Sequence, residues 1–225
     1  MKLAYLSSLA HPDLRTYLAN SGYVIHTFPE LCTVSSLVDN HPDVLLCKLG
    51  AKPESPIYEG VSDKLSPAYP NDCRYNATCT GKFFIHKLDI TDSELLSAAK
   101  TNCGDELQLI NVRQGYTKCS TVIVDEDSII TYDKGIAKPC ETVGMSVLLV
   151  EPGFVKLQGA DTGFIGGASG RVDDEIVFNG NLSAHPNFRE ITTFIEDRGL
   201  DCKWFDSYEL EDIGSIITIT DSDSD

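Results

Sequence analysis

The chain has 225 residues, 42% of them hydrophobic and 23% charged, an ordinary globular composition with ample material for a core. Its 34 acidic against 18 basic residues give a formal charge of −16, which argues against nucleic acid or an anionic membrane surface as partner. No apolar run approaches the ~20 residues of a membrane span and the N-terminus lacks the shape of a signal peptide, so the expected location is the cytoplasm. Eight cysteines, at 32, 47, 73, 79, 103, 119, 140 and 202, form no CxxC pair. That spacing fits neither a zinc site nor a small secreted disulfide framework, so buried reduced thiols are expected, with no metal and no cofactor.

The N-terminal segment reads as a strand at Leu3-Ala4-Tyr5-Leu6, a helix from Asp13 to Ala19 and a strand at Tyr23–Thr27. The helix opens at Leu9-Ala10-His11-Pro12-Asp13-Leu14, and this stretch returns near the other end as Leu182-Ser183-Ala184-His185-Pro186-Asn187-Phe188. In both copies a Phe follows a Gly by six residues, Phe28 after Gly22 and Phe205 after Gly199. The second copy is three residues longer between His and Gly, about one helical turn.

Next, 33–40 and 44–49 read as a short helix and a strand, a shrunken module, followed by a Pro-rich loop over about 50–72 of open role. A fuller module has strands at Tyr75–Thr80 and Phe83–Lys87 and a helix capped by Thr91 or Asp92. Leu107–Val112 is its last strand. The fourth has strands at Tyr116–Val124 and Ser128–Asp133, a degenerate helix around Lys138-Pro139-Cys140-Glu141, and Val147–Val150. The fifth starts at Asp161–Ala168 and continues through Glu175–Gly180. Pro186 sits where a first-turn proline belongs, and Phe188, Ile191, Phe194 and Ile195 form one apolar face before the stop at Gly199 and the strand Cys202–Phe205. The glycines from 163 to 170 lack a GKS/T ending and read as close backbone packing rather than a phosphate loop. Ser215–Ile219 is a strand without neighbours in sequence, able to complete the first module and close a ring. The ordered domain is expected to span 1–220, with 221–225 a disordered acidic tail.

Five ββαβ modules of about 45 residues each, closed by the C-terminal strand, resemble the pentein β/α-propeller, the pseudo-fivefold α/β fold of the guanidine-modifying enzymes. The resemblance covers nearly the whole chain and rests on module layout. It implies a nucleophilic Cys in the C-terminal strand, a His from another module and carboxylates that grip a guanidinium. Here Ser215-Ile216-Ile217-Thr218-Ile219 contains no Cys, and none of the five His (11, 26, 41, 86, 185) falls in a first strand. The leading expectation is therefore a non-catalytic protein binding a small polar or guanidino-type ligand, or a protein, at the axial site. The alternatives are a Cys-dependent hydrolase of guanidino C–N bonds and a structural interaction module; oligomeric state is left open. In the layout of this fold, first-strand starts face the axis. That selects Asn76, Lys118, Thr162 and Ser215 as ligand-binding candidates. Cys119, Asp161 and Asp212 are the catalytic candidates, Cys119 because Gly115-Tyr116-Thr117-Lys118-Cys119 repeats the family's glycine-then-cysteine rhythm in a different module.

Overall fold

A computed structural model describes residues 1–221. The first strand, β1 (Lys2–Leu6), is followed by α1 (Pro12–Asn20), whose Leu14 and Leu18 are buried. The helix carries the chain back so that β2 (Val24–Thr27) lies parallel to β1, with Leu3 opposite Val24. On the other edge of β1 the C-terminal strand Ile217–Thr220 runs antiparallel, Lys2 opposite Thr220. The two ends of the described chain thus share one sheet, and β1 has both edges satisfied.

The second sheet is the pair β3 (Leu46–Lys48) and β4 (Ile57–Glu59). The third comprises β5 (Thr78–Cys79), β6 (Phe83–His86) and, beyond α2 (Ser93–Cys103), β7 (Gln108–Asn111). Asp92 is the cap of α2, accepting from the backbone N–H groups of Glu94 and Leu95. The fourth sheet follows the short helix α3 (Thr117–Ser120) and contains β8 (Thr121–Ile123), β9 (Ser128–Thr131) and, after α4 (Lys134–Thr142), β10 (Ser146–Leu149). The fifth contains β11 (Ser169–Val172), β12 (Glu175–Phe178) and, after α5 (Phe188–Glu196), β13 (Asp201–Lys203); the C-terminal strand is β14. Four of the five sheets share one plan: an antiparallel pair, then a helical crossover to a parallel partner. The protein is a mixed α/β structure with five helices and five small sheets among the described residues.

Each hydrophobic cluster joins neighbouring sheets. Tyr75, Phe84 and Leu95 pack with Leu45 and Leu46. Phe83 and Ile85 pack with Ile129 and Ile136, and Val122 and Ile130 with Ile176 and Phe178. The fourth cluster sets Val172 and Val177 against Ala4, Leu6 and Leu14, tying the fifth sheet to the first. Full burial of side chains of this size is worth about 1.5–3 kcal/mol each, so these seams hold the sheets to one another. Strand β11 lies against both β8 and β14, and β3 against β5.

Several expected elements differ. Residues 33–40 form turns rather than a helix, and the second module has no helical crossover, because its chain passes instead into β4 within the Pro-rich stretch. The strand expected from Tyr116 begins as α3, where the N–H groups of Thr117 and Lys118 are taken by the Asn76 carbonyl instead of a strand partner. Conversely, Lys134–Thr142 is a full helix despite Pro139, with Asp133 as its cap. Asp161–Ala168 forms turns, and the strand starts only at Ser169. The three extra residues of the second His-Pro repeat do not lengthen a helix: α1 and α5 each have 9 residues, and the difference lies in their flanks. Pro186 accordingly precedes the first turn of α5, whose cap position is Asn187. Of the expected acidic tail, Asp221 pairs with the Met1 amino group at 2.9 Å, and 222–225 lie outside the described residues. Among the described residues no helix is long and apolar enough to cross a membrane.

Candidate functional site

His-Pro followed by Asp or Asn occurs three times, and one copy behaves differently. At His11 the ring Nδ1 accepts the N–H of Asp13 at 3.1 Å, and at His185 it accepts the N–H of Asn187 at 3.1 Å, so both histidines close their own turns. In His41-Pro42-Asp43 the Asp43 N–H goes to the Gly214 carbonyl at 3.2 Å, and the buried His41 Nδ1 has no partner. The ring is released from capping and lines a cavity.

That cavity, about 350 Å³, is walled by Tyr69, Tyr116 and Phe164 and lined at its polar positions by His41, Asp72, Cys119 and Asp212. The rings stack in series: Tyr69 on Tyr116 at 6.3 Å, Tyr116 on Phe164 at 6.3 Å, and Phe164 on Tyr132 at 6.0 Å. Tyr116 donates its hydroxyl to Oδ2 of Asp72 at 2.6 Å, which leaves Asp72 Oδ1 buried and unpartnered. Among the described residues no Lys or Arg lines the space.

Cys119 is fixed from behind. The Asn76 side chain accepts the N–H groups of Lys118 (3.0 Å) and Cys119 (3.2 Å) and donates to Cys119 Sγ at 3.2 Å. The thiol donates to Oδ2 of Asp43 at 3.1 Å, an oxygen that also accepts the Ser215 hydroxyl at 2.6 Å. Burial, then the charges of Asp43 and Asp212, hold the Cys119 thiol well above its ordinary pKa, so it is protonated in this state. Lys118 turns the other way and donates to Ser215 Oγ at 2.9 Å and to the Gly166 carbonyl at 3.2 Å; burial pushes its pKa down.

Asp212 is held by the N–H groups of Phe164 (2.9 Å) and Gly214 (3.0 Å), and its Oδ1 is 3.9 Å from His41 Nδ1. Burial raises its pKa to about 6, His41 opposing and Asp43 adding to the rise. Glycines make these approaches possible. A Cβ on Gly163 or Gly167 would strike the Asp212 side chain, and one on Gly214 would strike His41.

Of the residues singled out in the sequence, Cys119 and Asp212 share the cavity, and Thr162 lies at its edge with its hydroxyl on the Val155 carbonyl at 3.1 Å. Asn76 and Ser215 form the buried layer beneath it, while Lys118 also lines a separate pocket with Lys48 and Arg171. Asp161 does not join them: it is exposed and lines another cleft with Lys156 and Glu209, because its segment is a turn and not a strand start. His41, Asp43 and Asp72 are additions from the structure. The His-Pro-Asp at 41–43 was the sequence signal for His41 and Asp43.

The fold and cavity define a mixed α/β protein with a buried Cys, His and carboxylates around an aromatic slot. Residues 56–217 match DUF6873, a family of unknown function, and the chain belongs to that family. No curated protein and no solved structure matches it.

Proposed function

We propose that the protein is a pentein-type β/α-propeller whose axial cavity binds a small organic cation of guanidinium or amidinium type. The sheet-to-sheet clusters running from the first sheet to the fifth and back support the ring, as does β14 completing the first sheet. The observation that carries the ligand class is the lining: the carboxylates of Asp72 and Asp212 face the cavity, aromatic faces flank them, and no basic side chain offsets them. A planar cation gains charge-assisted hydrogen bonds from the carboxylates and cation–π attraction from the rings.

Cys119 supplies the chemistry in this reading. A cation seated against Asp72 and Asp212 lowers the cost of a thiolate at Sγ. The thiol proton passes to Asp43 Oδ2, Sγ bonds to the central carbon, and a C–N bond breaks as the departing nitrogen takes a proton relayed by His41. Water then attacks the same carbon and the S–C bond breaks, returning the thiol and giving the hydrolysed product. A ring nitrogen of His41 lies within 4.8 Å of Sγ, close enough to tighten on the bound ligand. The alternative is binding without chemistry, favoured by the protonated thiol of the unliganded site.

The test uses a Cys32→Ser/Cys103→Ser background. Cys32 is exposed, and the hydrogen bond shared by the Cys79 and Cys103 sulfurs lowers the Cys103 pKa to about 6, so both would label first. Arginine, agmatine and benzamidine are expected to raise the melting temperature and change the rate of Cys119 alkylation. An acid-stable mass adduct on Cys119 distinguishes chemistry from binding alone. If no guanidine or amidine alters either readout, the cation-binding reading is wrong.

A further inference from the structure

We propose that His41, Asp43 and Cys119 form a binding site for a thiophilic divalent cation of the zinc class. One ring nitrogen of His41, a carboxylate oxygen of Asp43 and Sγ of Cys119 all lie within 4.8 Å of one another, a spread that a modest inward movement converts into one coordination sphere. The three residues are 2%, 0% and 2% exposed. Two of the candidate atoms, His41 Nδ1 and Asp43 Oδ1, are buried with no hydrogen-bond partner. Buried polar atoms in native proteins are nearly always paired, and a metal bound through either of these would supply its missing partner.

The surroundings are arranged as an outer shell. Ser215 occupies Oδ2 of Asp43 and leaves Oδ1 free. Asn76 fixes the Cys119 backbone and approaches Sγ from one side. Asp212, anchored by two backbone N–H groups, stands 3.9 Å from His41 Nδ1 and adds negative charge beside the site. Three protein ligands leave a fourth position open toward the cavity, which His41 and Cys119 both line.

Ligand chemistry selects the metal. A thiolate, an imidazole and one carboxylate suit zinc and its neighbours, and not magnesium or calcium, which take oxygen ligands. Binding replaces the Cys119–Asp43 hydrogen bond: Sγ–H gives up its proton to solvent and the thiolate bonds the metal, so one proton leaves per ion bound. The metal would occupy the sulfur that attacks in the reading above, and so would switch that chemistry off. This competition rests on the cation-binding reading; the metal site itself does not.

The experiment is a titration of chelator-stripped full-length protein with cobalt(II) in phosphine reductant, followed by displacement with zinc. Expected are a one-to-one thiolate-to-cobalt charge-transfer band in the near ultraviolet and visible bands of tetrahedral intensity. Cys119→Ser should abolish the charge-transfer band, and His41→Gln and Asp43→Asn should weaken binding by more than about tenfold. Cys47→Ser, a buried thiol outside the cluster, should leave it unchanged. No band in the wild-type protein, or a band that persists in Cys119→Ser, overturns the proposal. Circular dichroism of each variant identifies loss of fold, and His41→Gln and Asp43→Asn probe the same sphere if Cys119→Ser fails to fold. Cys119 alkylation with benzamidine in excess chelator decides the cation-binding reading separately, so either can fail alone.

Discussion

Ser215 donates its hydroxyl to Oδ2 of Asp43 at 2.6 Å from a left-handed backbone with φ of 74°, joining residues 172 positions apart. The strained backbone puts Oγ between the Asp43 carboxylate and the Lys118 ammonium. Ser215→Ala keeps the backbone cost and strips the Asp43 carboxylate of the shorter of its two donors, for an expected loss of about 2 kcal/mol. Ser215→Gly loses the same bond but relieves the backbone, so it should be more stable than Ser215→Ala by about 1 kcal/mol. Urea unfolding of both variants checks the order; equal midpoints would mean the left-handed conformation carries no cost.

The three His-Pro turns should separate under mutation. His11→Ala and His185→Ala each remove an acceptor for a turn N–H and should each cost about 1 kcal/mol, with no effect on Cys119 alkylation. His41→Gln removes no such bond. It should instead change how the Cys119 alkylation rate responds to benzamidine. Thermal melts and labelling kinetics on the same three proteins decide this.

The lesson about legibility lies in those turns. Three of the five helices and most parallel strands are readable, because α1, α2 and α5 show apolar periodicity followed by a glycine. The echo between residues 9–14 and 182–188 is readable too, and it marks two turns closed by the same histidine chemistry, of which only His11 caps its helix directly. The site was only half readable. Cys119 and Asp212 stood out by position, but His41 repeats a tripeptide whose usual role is local, and only the competing bond from Asp43 N–H to Gly214 releases it. Asp161 was misplaced because a Gly-rich turn that packs backbone against Asp212 looks in sequence like the start of a strand. Such pairings join residues far apart in the chain, and local pattern does not encode them.

Gly167 has no positive φ, yet a Cβ there would overlap the Asp212 carboxylate. Gly167→Ala must therefore move Asp212 from its bonds to Phe164 and Gly214 N–H, an overpacking expected to cost about 1–3 kcal/mol. Because Asp212 faces the cavity, the same change should weaken benzamidine binding by about tenfold or more, a loss of about 1.4 kcal/mol. Calorimetric titration measures it. Unchanged affinity in a folded Gly167→Ala protein would remove Asp212 from the site.

His86 offers a pH test away from the cavity. Its Nε2 faces the carbonyls of Cys73 (3.1 Å) and Gly115 (2.9 Å), and its Nδ1 faces the Thr91 hydroxyl at 2.7 Å, so the neutral ring with hydrogen on Nε2 suits all three. Burial drops its pKa to about 4, the two carbonyls opposing the fall. The unfolded chain, with an ordinary histidine pKa near 6.5, binds the proton first as pH falls. Stability from this residue is therefore fully present above about pH 6.5 and is lost as pH falls toward about 4, a change of roughly 3 kcal/mol. The bonds to Cys73 and Gly115 brace the segment that leads into Tyr116 and Cys119, so acid should loosen the cavity wall along with the third sheet. In His86→Gln the neutral protein is less stable, but the fall in melting temperature between pH 7 and pH 4.5 should shrink relative to wild type. An identical pH dependence in the two proteins would show that His86 does not titrate differently on folding.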